Sequence, residues 1–226
     1  MTNDFAEGGD FIRDVFRSMF EALRMRDLWL PAITVSIAMD IAAVAIDWPF
    51  RKGMNYATEH SITVMVLLIL GKSWFALTLC RIALAGLRGQ VTGVLNQWVS
   101  VQEALRICVV TIVIMFPILL GFAFLIVPGL YLLGRWSQVT LALIDGRAQW
   151  FDAADASDGL TAGFRPAILI VLLSVATATL VVEYLISDVS YLIWIYSAVA
   201  SAIGAALASA MYYELSRRAP WGPEDQ

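Results

Sequence analysis

The chain has 226 residues, 60% hydrophobic and 15% charged, with a mean hydropathy of +0.75. Such values lie outside the globular range. They fit a membrane protein with length for about six spans and none left for a soluble catalytic domain of ordinary size. The net charge of -4, with no dense basic cluster, argues against nucleic-acid binding.

The first 27 residues alternate charge and bulk, so no cleavable signal peptide is expected. Phe11, Ile12, Val15, Phe16, Met19, Phe20 and Leu23 recur at helical spacing, while Arg13, Asp14, Arg17, Glu21 and Arg24 fall opposite. This pattern predicts an amphipathic helix lying in the membrane interface plane, an arrangement compatible with packing under the bundle as a cytoplasmic lid.

Apolar runs then predict spans at 28–47, 61–87, 107–127, 129–144, 167–186 and 191–215. The expected fold is all-α: a polytopic membrane bundle of about six transmembrane helices plus cytoplasmic-side amphipathic helices. Residues 1–27 form the N-terminal tail, 28–215 the transmembrane domain and 216–226 the C-terminal tail. Ten Lys/Arg flank one side: Arg13, Arg17, Arg24, Arg26, Arg88, Arg106, Arg147, Arg165, Arg217 and Arg218. The other side carries Arg51 and Lys52, which predicts that both termini are cytoplasmic. A weak repeat of aromatic, acid and Ala recurs at the junctions as Phe16, Glu21, Ala22, then Trp98, Glu103, Ala104, then Trp150, Asp155, Ala156. It suggests three units, each an interfacial helix followed by two spans.

Charges inside spans are costly and expected in opposite-sign pairs. Asp40 and Lys72 fall near mid-depth of the first two spans, and Arg135 and Glu183 in the outer parts of the fourth and fifth. The expected pairs are Asp40 with Lys72 and Arg135 with Glu183, fixing helix register; the functional alternative is an ion or proton path or a lipid-headgroup site. In the sixth span Ser197, Ser201, Ala205 and Ser209 repeat four apart, as do Ala200, Gly204 and Ala208. Small residues at this spacing let helix backbones approach closely, within the monomer in preference to a dimer face. Tyr191, Trp194 and Tyr196 at one end, with Tyr212 and Tyr213 at the other, read as interface anchors.

Across 107–144 one residue in 38, Arg135, is charged, and Val127-Pro128-Gly129 divides the run. Pro128-Gly129 predicts a tight hairpin at or just inside the outer boundary, shielded by neighbouring helices. The stretch Val127-Pro128-Gly129-Leu130-Tyr131-Leu132-Leu133-Gly134-Arg135-Trp136, then Ile144-Asp145-Gly146, then 153–156 with Ser157 and Gly163, resembles a family pattern. It is similar to bacterial six-helix membrane proteins related to the glycerophosphoryl diester phosphodiesterase membrane domain. The resemblance implies a six-span protein of the bacterial inner (cytoplasmic) membrane. The catalytic barrel joined to that domain elsewhere needs a His pair and metal-binding carboxylates, whereas this chain has one His, His60.

No catalytic set can be assembled from that single His, no metal site or cofactor is expected, and Cys80 and Cys108 read as buried inert thiols. Gly71-Lys72-Ser73 and Gly86-Leu87-Arg88-Gly89 match only fragments of a phosphate loop. The function expected is a non-catalytic scaffold or accessory subunit that organises lipids or a partner membrane complex. The alternative is a transporter or channel for ions, protons or a small lipid-related solute, using the intramembrane charges. Expected partners are membrane lipids and another integral membrane protein, with room for a homo-oligomer.

Overall fold

In the computed structural model of the chain, residues 2–51, 58–90, 97–150, 152–186 and 190–218 are described, with side chains over 7–38, 70–90, 97–150, 152–186 and 195–218. Among these residues the fold is all helical. The elements are α1 (Thr2–Leu23), α2 (Arg26–Arg51), α3 (Thr58–Leu87), α4 (Val101–Phe124), α5 (Ile126–Trp136), α6 (Val139–Ile144), α7 (Asp152–Thr161), α8 (Arg165–Ile186) and α9 (Ser190–Arg218).

Helix α9 is the hub. Ala198, Ala202, Ala205, Ala206, Ser209 and Ala210 are all buried on it, and their small side chains admit α1, α2 and α3 at close range. Phe11, Val15, Leu28, Leu79, Ile168 and Met211 form one core around this helix. A second core joins α3, α4, α6 and α9 through Leu84, Ile107, Val110, Val139, Leu141 and Tyr212. The bulky stripe of α1 faces the first core: Phe11, Val15 and Ala22 are fully buried, while Phe20 stays exposed. The helix is therefore packed on the bundle, with only one edge of its apolar face turned outward.

Among the described residues, four helical stretches are long and apolar enough to cross a membrane: Leu70–Leu87, Val101–Phe124, Arg165–Ile186 and Ile195–Arg218. That is fewer than six. Helix α2 runs for 26 residues, but residues 39–47 of the expected first span lie outside the described side chains. The expected fourth span fails for a physical reason. Residues 126–144, which contain that span, divide into α5, with 11 residues, and α6, with six, separated at Ser137 and Gln138. Eleven residues at ~1.5 Å each reach about 16 Å, half of a ~30 Å hydrocarbon core.

The hairpin also differs from expectation. The chain turns at Leu125, which is extended (φ -155, ψ 133), and Pro128 and Gly129 lie in the first turn of α5. Proline is tolerated there because no N–H is needed from it. Gly129 is instead a crossing point, since a Cβ at Gly121 would meet its Cα and N at 2.9 Å. At the middle junction, Trp98 leads directly into α4 through the Ser100 N-cap, whose Oγ accepts from the Glu103 N–H at 3.2 Å. Separate helices of the expected interfacial kind occur at the first and third junctions, as α1 and α7.

Candidate functional site

One end of the bundle gathers the C-terminal ends of α3, α6 and α9 with the N-terminal ends of α4 and α8. Its centre is Asp145, whose side chain is 6% exposed. Two local motifs place this carboxylate against Arg88. Helix α3 ends in a left-handed Gly89 (φ 68), with Gln90 N–H bonded to Ala85 O and Gly89 N–H to Gly86 O. Helix α6 ends in Gly146 (φ 72), whose N–H reaches Leu143 O. Glycine adopts this conformation at no Cβ penalty, so both helices stop there and both ion-pair partners are the last residue before the glycine.

Arg88 grips Asp145 with two nitrogens, Nη1 to Oδ1 and Nη2 to Oδ2, the latter at 2.9 Å. Arg147 Nε lies 2.7 Å from Oδ2, and the Tyr212 hydroxyl donates to the same oxygen at 2.8 Å. Hydrogen bonding to this carboxylate raises the pKa of Arg88 above its ordinary value, with the negative charge adding in the same direction and partial burial opposing. Tyr212 is fully buried, not a lipid-facing anchor. Beside this cluster Arg81 Nη1 donates to Glu103 at 3.0 and 3.2 Å. Arg81, Arg88, Gln90, Gln97 and Asp145 line a polar cavity of about 290 Å³.

A second carboxylate, Asp158 on α7, joins two helices. Arg165 at the start of α8 binds Oδ1, and Arg135 from α5 lies 2.8 Å from Oδ2. Arg165 also donates to the Tyr131 hydroxyl at 2.9 Å. The Arg135 carbonyl accepts from Ser157 Oγ (2.9 Å) and Thr161 Oγ1 (3.1 Å), while Ser157 Oγ accepts from the Gln138 N–H (3.2 Å). These bonds serve backbone groups freed where α5 and α6 part. A third set ties α1 to α9: Ser18 donates to Glu214 at 2.6 Å, and Arg218 pairs with Asp14 while its guanidinium covers the Phe11 and Phe164 rings.

Within these sets seven arginines (81, 88, 135, 147, 165, 217, 218) meet five carboxylates (Asp14, Glu103, Asp145, Asp158, Glu214). The arrangement clamps helix ends together. Among the described residues no group of His, Cys, Asp and Glu is placed to hold a metal ion.

The residues singled out from sequence are scattered by this geometry. Arg135 pairs with Asp158, not Glu183, because it lies in the last turn of α5, where that helix packs on α7. Glu183 is exposed on α8, 18 residues beyond Arg165 and so roughly 27 Å from the arginine layer. Lys72 is exposed on α3, and its expected partner Asp40 lies outside the described side chains. On α9, Ala205 and Ser209 enter the core, where Ser209 Oγ donates to Cys80 O at 2.9 Å. Ser201 Oγ bonds back to Ser197 O, and Gly204 faces open space. Sequence reasoning missed Asp145, Asp158, Arg88, Arg165 and Tyr212 as contact centres. One signal was available: Asp145 is the single acid between Glu103 and Asp152. No family model, curated protein or solved structure matches the chain.

Proposed function

We propose that the protein is a non-catalytic scaffold or accessory subunit of the bacterial inner membrane, with both termini cytoplasmic, that organises lipids or a partner membrane complex. The observation that carries this reading is where its polarity and apolarity lie. Charges close on one another at one end of the bundle, while α4 and α8 turn their apolar residues outward. Only 22% of the α4 window and 11% of the α8 window are buried. Ile112, Phe116, Leu119, Leu180 and Leu185 are among the exposed side chains, a broad flank available to lipid or to another membrane helix. The gathering of arginines at this end suits a cytoplasmic face. Kinship with the six-helix proteins named above belongs to the same proposal and rests on the 127–136 and 153–163 residues alone.

Photo-cross-linkers at Leu119 and Leu180 in native membranes test the reading, with a reproducible membrane-protein or lipid adduct expected at one or both. The transporter alternative has the polar cavity beside Arg81 and Asp145 in its favour. If purified protein in liposomes carried an ion or solute flux that Asp40→Asn with Lys72→Met abolished while leaving the fold intact, the scaffold reading would fail.

A further inference from the structure

A cleft of about 390 Å³ opens between α8 and α9, and α1 floors it. Ala178 and Val182 line one wall, Ala200 and Gly204 the other, and Phe16 and Met19 reach in from α1. Both walls belong to helices long and apolar enough to cross a membrane, which on the reading proposed above sets the cleft at the depth of lipid tails. The Tyr196 hydroxyl donates to Thr179 O at 2.6 Å and ties the two walls together. Space at Gly204 is real: a Cβ there would find nothing within 4 Å. The small residues the sequence placed on α9 thus serve two ends, with Ala205 packing the core and Gly204 keeping the cleft open.

Helical geometry sets what lies beside Phe16. At about 100° per residue, exposed Phe20 follows Phe16 around α1, and Arg13 and Arg17 come next within an arc of about 40°, with Arg24 just past the helix's last residue, Leu23. The Arg13 and Arg17 side chains are 74% and 79% exposed. Arg13 meets Asp10 at 3.1 Å and Asp14 at 3.7 Å, and Arg17 meets Glu21 at 3.5 Å. Such solvated pairs are weak and exchange readily for a phosphate. An apolar slot therefore ends in two aromatic rings followed by an arginine edge.

We propose that this cleft is the seat of one anionic phospholipid, with an acyl chain between α8 and α9 and the phosphate on the Arg13 and Arg17 edge of α1 and on Arg24 just beyond its end. The inference deepens the scaffold reading and rests on it for the membrane depth of the cleft. A second copy of the chain is a poorer occupant, since a helix about 10–12 Å wide does not enter a slot of this volume, whereas a single hydrocarbon chain does. An anionic head, which can replace Asp10, Asp14 and Glu21 on the exposed Arg13 and Arg17 guanidinium groups, is favoured over a zwitterionic one.

Native mass spectrometry of the full chain, released from nanodiscs of equimolar phosphatidylglycerol and phosphatidylcholine, tests the proposal. Wild type is expected to keep one phospholipid per chain, predominantly phosphatidylglycerol. Filling the cleft with Ala178→Leu and Gly204→Leu is expected to lower retention about tenfold, because the slot no longer buries the tail's methylenes. Should that variant not fold, the surface variant Arg13→Gln/Arg17→Gln/Arg24→Gln still decides the matter. It leaves the core untouched, and its preference for phosphatidylglycerol over phosphatidylcholine is expected to fall about tenfold. The proposal is overturned by a wild type that retains no lipid, by unchanged retention in a folded cleft-filled variant, or by an unchanged lipid preference in the triple variant. Failure here would leave partner cross-linking at Leu119 and Leu180 untouched, and charge-dependent flux would sink the scaffold reading without emptying the cleft.

Discussion

Asp145→Asn removes the charge on which two arginines and a tyrosine converge. Loss of one partner from a buried ion pair costs about 3–5 kcal/mol. Here the discount is substantial, because the Arg88 and Arg147 side chains keep 25% and 31% exposure and can recover water. The asparagine oxygen also still accepts from Tyr212, so we expect a loss of about 2–3 kcal/mol. Arg88→Gln should cost a similar amount, since it leaves a carboxylate that is 6% exposed with Arg147 and Tyr212 alone. The double variant leaves two neutral amides that can bond each other, and its cost should fall below the sum of the single losses by about 1–3 kcal/mol. Unfolding in mixed detergent micelles, followed by tryptophan fluorescence, measures all three variants. A loss under about 0.5 kcal/mol for Asp145→Asn, or additivity of the two changes within about 0.5 kcal/mol, would refute the view that this carboxylate clamps the helix ends.

Replacing Pro128 by Ala should change stability by less than about 1 kcal/mol, because the first helical turn gives its N–H groups no partner. Gly129→Leu should cost at least about 3 kcal/mol in the same assay, as its Cβ already meets the Phe122 N at 2.7 Å; equal effects at the two positions would restore a Pro-Gly turn. Ser157→Ala orphans the Gln138 N–H and should lose about 1–3 kcal/mol, with hydrogen exchange rising at Gln138 and not at Val110. Asp158→Asn should destabilise by about 2–3 kcal/mol while Glu183→Gln stays within about 0.5 kcal/mol, an ordering that the expected Arg135–Glu183 pair would reverse.

What the sequence made legible was whatever a single helix declares by itself. The apolar runs of α3, α4, α8 and α9 announce their own length, and the Ala-rich repeat of α9 announces close packing. The bias of arginine toward one side of the membrane needs only the order of the spans. The broken fourth span was hidden because residues 129–144 are apolar enough to cross, and the group that satisfies the break, Ser157 Oγ, lies 19 residues beyond Gln138. Pairing failed for a related reason. Reading charges by depth along assumed straight spans placed Arg135 opposite Glu183, whereas the contacts form between helix ends 57 and 67 residues apart, at Arg88–Asp145 and Asp145–Tyr212. Yet Arg88-Gly89 and Asp145-Gly146 share a legible pattern: a charge followed by glycine at the close of an apolar run. A glycine that enters the left-handed region fixes where the helix stops, and therefore fixes the height of the charge before it. Two such stops at one level make a pair, and turning either helix by one residue would swing its charge by about 100° and break it. The clamp thus sets the rotation as well as the height of α3 against the end of α6.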